Sequence, residues 1–355
     1  MEECLRLAAR GKGRVSPNPM VGALLWRGGR VIARGYHRTF GAPHAETECL
    51  RRAGRKCRGS VLYVNLEPCS HFGQTPPCAD AIIRAGIRHV VVGMQDPNPL
   101  VAGRGIRKLR AAGISVRTGI LRQEAAELNR HFVRHITRRY PYVHVKIAQS
   151  LDGKIAPSKG RTRTLTSILS RRRVHAWRAE YDAVLVGAGT IRSDNPRLDA
   201  RLVRGRDPAV VILDGNLGVQ PTARVFASAR RRRIMVFTSL TALQRRMRTA
   251  GALRGRGVMV VPLDGRGTSL PLKLVLKTLY RLRIGSVLVE GGQQVFTSFL
   301  HEGLADEISI FVAPVILGKG IPGVTPRSSI PGFSARSEVS AQLVGRDILY
   351  TLRNP

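Results

Sequence analysis

Two α/β domains meeting near Tyr140-Pro141 are what the sequence predicts, on three observations. Short apolar runs alternate with helical patterns along the chain, as strands interleaved with helices do. A connecting helix over 124–139 runs into Pro141, and the residue before a proline is biased out of the helical region. Finally, 355 residues with 43% hydrophobic content suffice for two cores of ordinary size. The expected domains are therefore 1–140 and 141–355.

In the first, a helical opening ends near Lys12, and apolar runs at 21–26 and 31–35 read as strands. A helix over 43–54 follows, with Pro43 suited to its first turn. Then come a strand at 60–66, a helix at 77–85, a buried strand at 89–94, a helix at 106–112 and a short strand at 114–118. This alternation predicts a three-layer domain whose functional groups gather where strand ends meet helix N-termini. In the second half, strands are expected at 142–148, 183–186, 209–213, 234–238, 258–261, 286–289 and 307–313, with helices at 171–180, 270–281 and 293–300. Residues 251–257 read as a basic loop, and no internal repeat or low-complexity tail is evident.

Five cysteines, an odd number, argue for a reducing compartment rather than a disulfide framework. No apolar stretch of about twenty residues and no signal pattern is present, so a cytoplasmic enzyme without membrane association is expected. The net charge of +36 would ordinarily suggest nucleic acid. Its arginines, however, are spread along the whole chain, aromatics are only 5%, and no stretch interleaves basic with stacking residues. Runs such as Arg171-Arg172-Arg173 and 230–233 read as solvated faces. A nucleic-acid partner is not expected, and a deaminase acting on RNA rests on charge alone. A homo-oligomer is the expected assembly.

The chemistry begins at His44-Ala45-Glu46, with Glu67-Pro68-Cys69 and Cys78 downstream. One imidazole and two thiolates can hold zinc tetrahedrally with a fourth position for water, whose pKa the metal lowers to roughly 7. Glu46 is then free to move protons as the catalytic residue, an arrangement seen in zinc deaminases. Residues two apart do not share a helix face, so His44 and Glu46 are expected to bracket the site from an irregular first turn. Cys4, Cys49 and Cys57 lack ligand spacing and read as packing residues.

This pattern resembles the cytidine deaminase-like superfamily. Most members carry C-x-x-C, whereas a loop lies between Cys69 and Cys78 here. With Pro17-Asn18-Pro19-Met20-Val21-Gly22 and Met94-Gln95-Asp96-Pro97-Asn98-Pro99, the segment looks like the deaminase half of the bifunctional riboflavin-biosynthesis deaminase–reductases. The resemblance implies that Asn18, His37, His71 and Asn98 line the pocket. Gln74 stands where a basic residue is common in that loop.

In the second half, Gly187-Ala188-Gly189 and Gly318-Lys319-Gly320 are poor Rossmann fingerprints. The run 286–293 is a better phosphate-binding junction, because its glycines permit close approach and a helix N-terminus follows. This half resembles the family's reductase domain, of dihydrofolate reductase-like α/β fold, through 146–154, 187–198 and Val289-Glu290-Gly291-Gly292. The resemblance implies that Ala148, Thr190, Asp194 and the stretch from Gly292 hold NADPH. It assigns Thr162, Arg178, Leu198, Arg201 and Glu290 to a phosphorylated pyrimidine substrate, with the two arginines suited to its phosphate. Thr164, in the same cofactor set, replaces the tryptophan of a usual W-I-T-S segment. That change keeps open a second reading, a deaminase joined to an inactive reductase-like domain.

Overall fold

The computed structural model describes residues 1–72, 76–99, 101–158, 164–264, 269–325, 333 and 337–354. The chain divides into two compact units, Met1–Tyr140 and Pro141–Pro355.

In the first unit α1 (Glu2–Ala9) precedes the hairpin β1 (Gly22–Arg27) and β2 (Arg30–Tyr36), then α2 (Ala45–Ala53), β3 (Val61–Leu66) and α3 (Cys78–Arg84). Next come β4 (His89–Met94), α4 (Arg104–Ala111), β5 (Ser115–Thr118), α5 (Arg122–Leu128) and α6 (Arg130–Arg138). The sheet runs β2-β1-β3-β4-β5, antiparallel about β1 and parallel from β3 to β5. Helices cover both faces, α1 with α5 on one and α2, α3 and α4 on the other. Two glycines show why the helices pack so closely. A Cβ on Gly22 would lie 2.1 Å from the Cys4 carbonyl of α1, and one on Gly35 would lie 2.3 Å from the Ala45 carbonyl of α2. Leu62, Val64, Val90 and Val92 form the buried stripes of the central strands, each side chain contributing about 1.5–3 kcal/mol.

The connecting segment is two helices rather than one. Asn129 leaves the helical region with φ −100° and ψ 17°. Its buried side-chain amide donates to the Met20 carbonyl at 3.0 Å and accepts from the Met20 N–H at 2.7 Å. Strand-like pairing with a distant segment overrides helical continuity. Cys4, Cys49 and Cys57 are all buried. Burial pushes the Cys4 and Cys49 thiols up to about 12, which makes them inert packing groups.

The second unit begins with β6 (Tyr142–Ser150), β7 (Lys154–Ala156), α7 (Ile168–Glu180), β8 (Ala183–Gly187), α8 (Ala188–Asp194), β9 (Ala209–Leu213) and β10 (Ile234–Ser239). It continues through α9 (Leu240–Arg245), α10 (Met247–Gly255), β11 (Met259–Leu263), α11 (Leu272–Arg281), β12 (Ser286–Gly291) and α12 (Gln293–His301). The last elements are β13 (Glu307–Ala313), β14 (Ile321–Pro322), β15 (Glu338–Val344) and β16 (Asp347–Arg353). Nine strands order as β11-β10-β9-β8-β12-β6-β13-β16-β15, parallel from β11 to β13, while β7 pairs with β14. Late insertion of β12 between β8 and β6 brings the carboxyl ends of three strands from distant parts of the chain side by side, where open α/β sheets bind ligands. The expected basic loop at 251–257 is largely the end of α10, whose buried anchors are only Ala250 and Leu253. Among the described residues, no helix is long and apolar enough to cross a membrane.

Candidate functional site

In the first unit, one short region brings three donors together. His44 is the N-cap residue of α2, in extended conformation (φ −69°, ψ 161°), and Glu46 is that helix's second residue. The pair thus brackets the helix start as expected, while Pro43 precedes the N-cap and so lies outside the first turn. Cys69 follows β3, and Cys78 opens α3. His44 Nδ1 lies 3.6 Å from Cys69 Sγ and 3.3 Å from Cys78 Sγ, and all three donor atoms fall within 4.8 Å of one another. The Cys78 amide at the N-terminus of α3 donates to Cys69 Sγ at 3.3 Å. A hydrogen bond from Cys78 outweighs burial and, with His44, pulls the Cys69 thiol down to about 4. Thiolate character at a helix N-terminus is what a metal ligand needs.

Glu46 is 3% exposed, and its Oε2 has no hydrogen-bond partner among the described residues. Burial raises its pKa above the ordinary carboxylate value. A buried carboxylate with one oxygen unsatisfied beside three converging soft and borderline donors fits a hydrolytic zinc centre better than a packed core, where buried polar groups are satisfied.

The pocket residues implied by resemblance arrive from two sides. Asn18 Nδ2 lies 3.2 Å from His37 Nε2, and His37 Nδ1 lies 3.2 Å from the Pro43 carbonyl. The His37 ring meets the His44 ring edge-on at 5.4 Å. Burial pushes the His37 imidazole down, favouring the neutral ring that this bonding requires. Opposite, the Asn98 N–H donates to Asp96 Oδ1 at 2.8 Å. The His71 and Cys69 charges both act on Asp96, whose carboxyl burial pushes up to about 6. His71 is exposed, and Gln74 lies outside the described residues.

A second cluster lies in the other unit. Arg178 on α7 makes a fork to Glu290 at the end of β12, Nε to Oε1 at 2.6 Å and Nη2 to Oε2 at 2.7 Å, while Nη1 donates to the Asp199 carbonyl at 3.0 Å. Burial works to raise the Glu290 carboxyl, but Arg178 and Lys146 outweigh it and hold the group below the usual carboxylate range. Arg201 is half exposed and pairs with the Asp199 carboxylate. Leu198 is buried with φ 56°, and its carbonyl accepts from Arg232 at 2.7 Å. Thr190 Oγ1 would lie 3.4 Å and 3.3 Å from Cβ atoms built on Gly291 and Gly292, so it closes against the strand-to-helix junction. Ala148 lies on β6 beside Phe311 of β13.

Asp194 and Thr164 are exposed, and no hydrogen bond or ion pair among the described residues joins either to the others. Thr162 lies outside the described residues. Sequence reasoning assigned no role to Lys146, whose ammonium burial pushes down against the pull of Glu290, or to His175, which burial and the Arg178 and Arg201 charges push down to about 4. His175 is buried and Lys146 partly so, although a sequence alone reads both residue types as surface.

Comparison with known proteins agrees with this two-part layout. Residues 1–94 match the cytidine and deoxycytidylate deaminase zinc-binding region, and residues 141–350 match the RibD C-terminal domain. The riboflavin biosynthesis protein RibD of Aquifex aeolicus is 44% identical over 90% of this chain and 88% of its own length. The Escherichia coli protein of that name is 35% identical over 97% of this chain and 98% of its own. A Thermotoga maritima diaminohydroxyphosphoribosylaminopyrimidine deaminase/5-amino-6-(5-phosphoribosylamino)uracil reductase superposes with TM-score 0.87 at 40% identity, covering 100% of this chain and 97% of that one. Acinetobacter baumannii RibD gives the same TM-score and coverage at 33% identity. At these identities and over this much of its length, the chain belongs to the RibD family of bifunctional riboflavin-biosynthesis deaminase–reductases.

Proposed function

We propose that this chain carries out two consecutive steps on 2,5-diamino-6-ribosylamino-4(3H)-pyrimidinone 5′-phosphate. Residues 1–140 remove a ring amino group by hydrolysis, and residues 141–355 reduce the ribose to a ribityl chain with NADPH. The observation that carries the proposal is the convergence of His44, Cys69 and Cys78 beside Glu46, whose buried Oε2 is unsatisfied among the described residues, in a chain 40% identical to a protein named for both activities.

His44 Nδ1 and the two sulfurs would hold zinc, which supplies hydroxide at neutral pH when bound. Glu46 takes a proton from the attacking water and passes it to the ring nitrogen, then takes the proton of the added hydroxyl and passes it to the departing amine. Water adds at the amino-bearing carbon, ammonia leaves, and the carbon becomes a carbonyl. Asn18, His37, His71 and Asn98 hold the ring and its substituents.

In the second unit, Ala148, Thr164, Thr190, Asp194 and Gly292 form the cofactor side, and Thr162, Arg178, Leu198, Arg201 and Glu290 the substrate side. NADPH supplies the hydride, and the protein orients it against the ribose anomeric carbon. Each of the three Arg178 guanidinium nitrogens already donates within the protein. Arg201, half exposed, is therefore the better phosphate ligand, and Arg178 orients Glu290 toward the sugar hydroxyls. Five cysteines without a disulfide suit a cytoplasmic enzyme.

The test is to incubate zinc-loaded protein with this substrate, with and without NADPH, and follow ammonia and product mass. Ammonia release without cofactor, and gain of two hydrogens only with it, is expected. Deamination without any reduction would favour the reading with a silent reductase half, which Thr164 motivates. Neither conversion would refute the proposed substrate.

A further inference from the structure

Glu67 is the buried acidic group beside the donor cluster that the chemistry proposed above leaves unused. It ends the approach to Cys69, is 3% exposed, and makes no ion pair among the described residues. Its carboxylate instead accepts backbone N–H groups from a segment far along the chain. Oε2 accepts from Asp96 at 3.2 Å and Gly103 at 2.9 Å, and Oε1 accepts from Ile106 at 3.2 Å. Three bonds to one carboxylate fix the start of α4 and both ends of the loop before it.

The packing is equally specific. A Cβ on Gly105 would sit 2.0 Å from the Pro68 carbonyl and 3.3 Å from Glu67 Oε1, so only glycine allows the two segments to touch. The Glu67 N–H also donates to the Met94 carbonyl at 2.9 Å, continuing the β3–β4 pairing to the point where the loop departs. Within that loop Asp96 Oδ1 accepts the Asn98 N–H at 2.8 Å. One carboxylate thus ties the loop bearing Asn98 to the loop bearing Cys69.

We propose that Glu67 is a positioning residue that holds Asn98 in register with the His44–Cys69–Cys78 centre and thereby sets substrate binding in the deamination step. It touches neither substrate nor metal. Its effect passes through the Asp96 and Gly103 amides to Asn98, so it alters how the pyrimidine is held rather than the proton transfers of Glu46. The inference rests on the deaminase reading above and deepens it.

The test uses the full zinc-loaded chain and the diaminopyrimidine phosphate, with Glu67→Ala, Glu67→Gln, Asn98→Ala and the two Glu67 changes combined with Asn98→Ala. Glu67→Ala is expected to keep one zinc per chain and to lower kcat/KM for ammonia release about 100-fold, mainly through KM. Glu67→Gln retains an acceptor for two of the three amides and is expected to recover to within about 10-fold of the parent. The combined variants are expected to be no worse than Asn98→Ala, because one effect acts through the other. If Glu67→Ala does not fold, Glu67→Gln with and without Asn98→Ala carries the same cycle.

Additive losses, or loss of zinc in a folded Glu67→Gln variant, would overturn the inference. An unchanged KM in both Glu67 variants would do so as well. An unmodified chain that releases no ammonia from this substrate would refute the deaminase reading itself, a different result from additivity in an active parent.

Discussion

The two clusters differ in how their charges are satisfied. Between His44 and Cys78, donors from two helix starts and one strand end converge, and Glu46 has a buried oxygen without a partner. Between Lys146 and Gly292, the groups come from distant segments and already neutralise one another, Arg178 with Glu290 and Arg201 with Asp199. Unpaired buried groups are unfavourable to a fold and useful to a reaction, because they can take up protons or ions without first breaking a bond. Paired groups instead hold together the segments that they join, as Arg178 does for α7 and the end of β12. Substitutions in the first cluster should therefore remove activity and spare the fold, whereas those in the second should cost both.

The largest effect is expected from His44→Ala or Cys69→Ala. Zinc stoichiometry should fall to near zero and ammonia release by about ten-thousandfold, since hydroxide is no longer available at neutral pH. Reduction of already deaminated substrate by NADPH should persist in the same protein. Parallel loss of both activities would show that the two clusters are not separable.

Glu46→Gln comes next, with deamination reduced roughly a thousandfold at unchanged zinc content. Thermal unfolding should show no loss of stability, because the change removes a carboxylate that burial disfavours. A marked fall in Tm would mean that Glu46 carries structure as well as protons, which would weaken the contrast between the clusters.

Arg178→Ala tests the opposite case. It removes both guanidinium bonds from the Glu290 carboxylate, whose side chain is 6% exposed, and leaves it the weaker pull of Lys146. Breaking such a pair costs about 3–5 kcal/mol, so the urea midpoint of that unit should drop clearly. Reduction should fall with it, while deamination under native conditions is retained. An unchanged midpoint would place Glu290 in contact with water rather than in a closed ion pair.

How legible each region was follows from the range of its interactions. His44, Cys69 and Cys78 carry donor types whose spacing is legible in the sequence, and their donor atoms lie within 4.8 Å of one another, while the two compact units divide at Tyr140 and Pro141, beside the proline. Glu67 was visible as part of a motif, but the amides that it binds lie at Asp96, Gly103 and Ile106, beyond any local pattern. The break between α5 and α6 was hidden for the same reason, since Asn129 answers to Met20. Helix α10 escaped notice because two arginines and two glycines interrupt its short sequence and two buried residues leave almost no apolar stripe. The β15–β16 hairpin was missed because β15 is exposed along nearly its whole length and carries little record of burial.

The smallest expected effect concerns Thr164, the departure from the family pattern. The residue is exposed, but it adjoins the buried Leu165 and lies three positions before Ser167. Ser167 caps α7 by accepting from the Ser170 N–H, and its own N–H donates to Asp347 Oδ2 at 2.7 Å. A tryptophan introduced there would stand on a backbone that is already anchored, so its surface would become available to a cofactor at little cost in ordering. Thr164→Trp should tighten NADPH binding about fivefold, equivalent to about 1 kcal/mol for an added aromatic contact. Deamination should be unaffected, and Thr164→Ala should bind NADPH as the parent does. Fluorescence titration of NADPH checks both variants. Unchanged binding in Thr164→Trp would remove residue 164 from the cofactor contacts and leave Thr190 and the Gly291-Gly292 junction to hold the nucleotide.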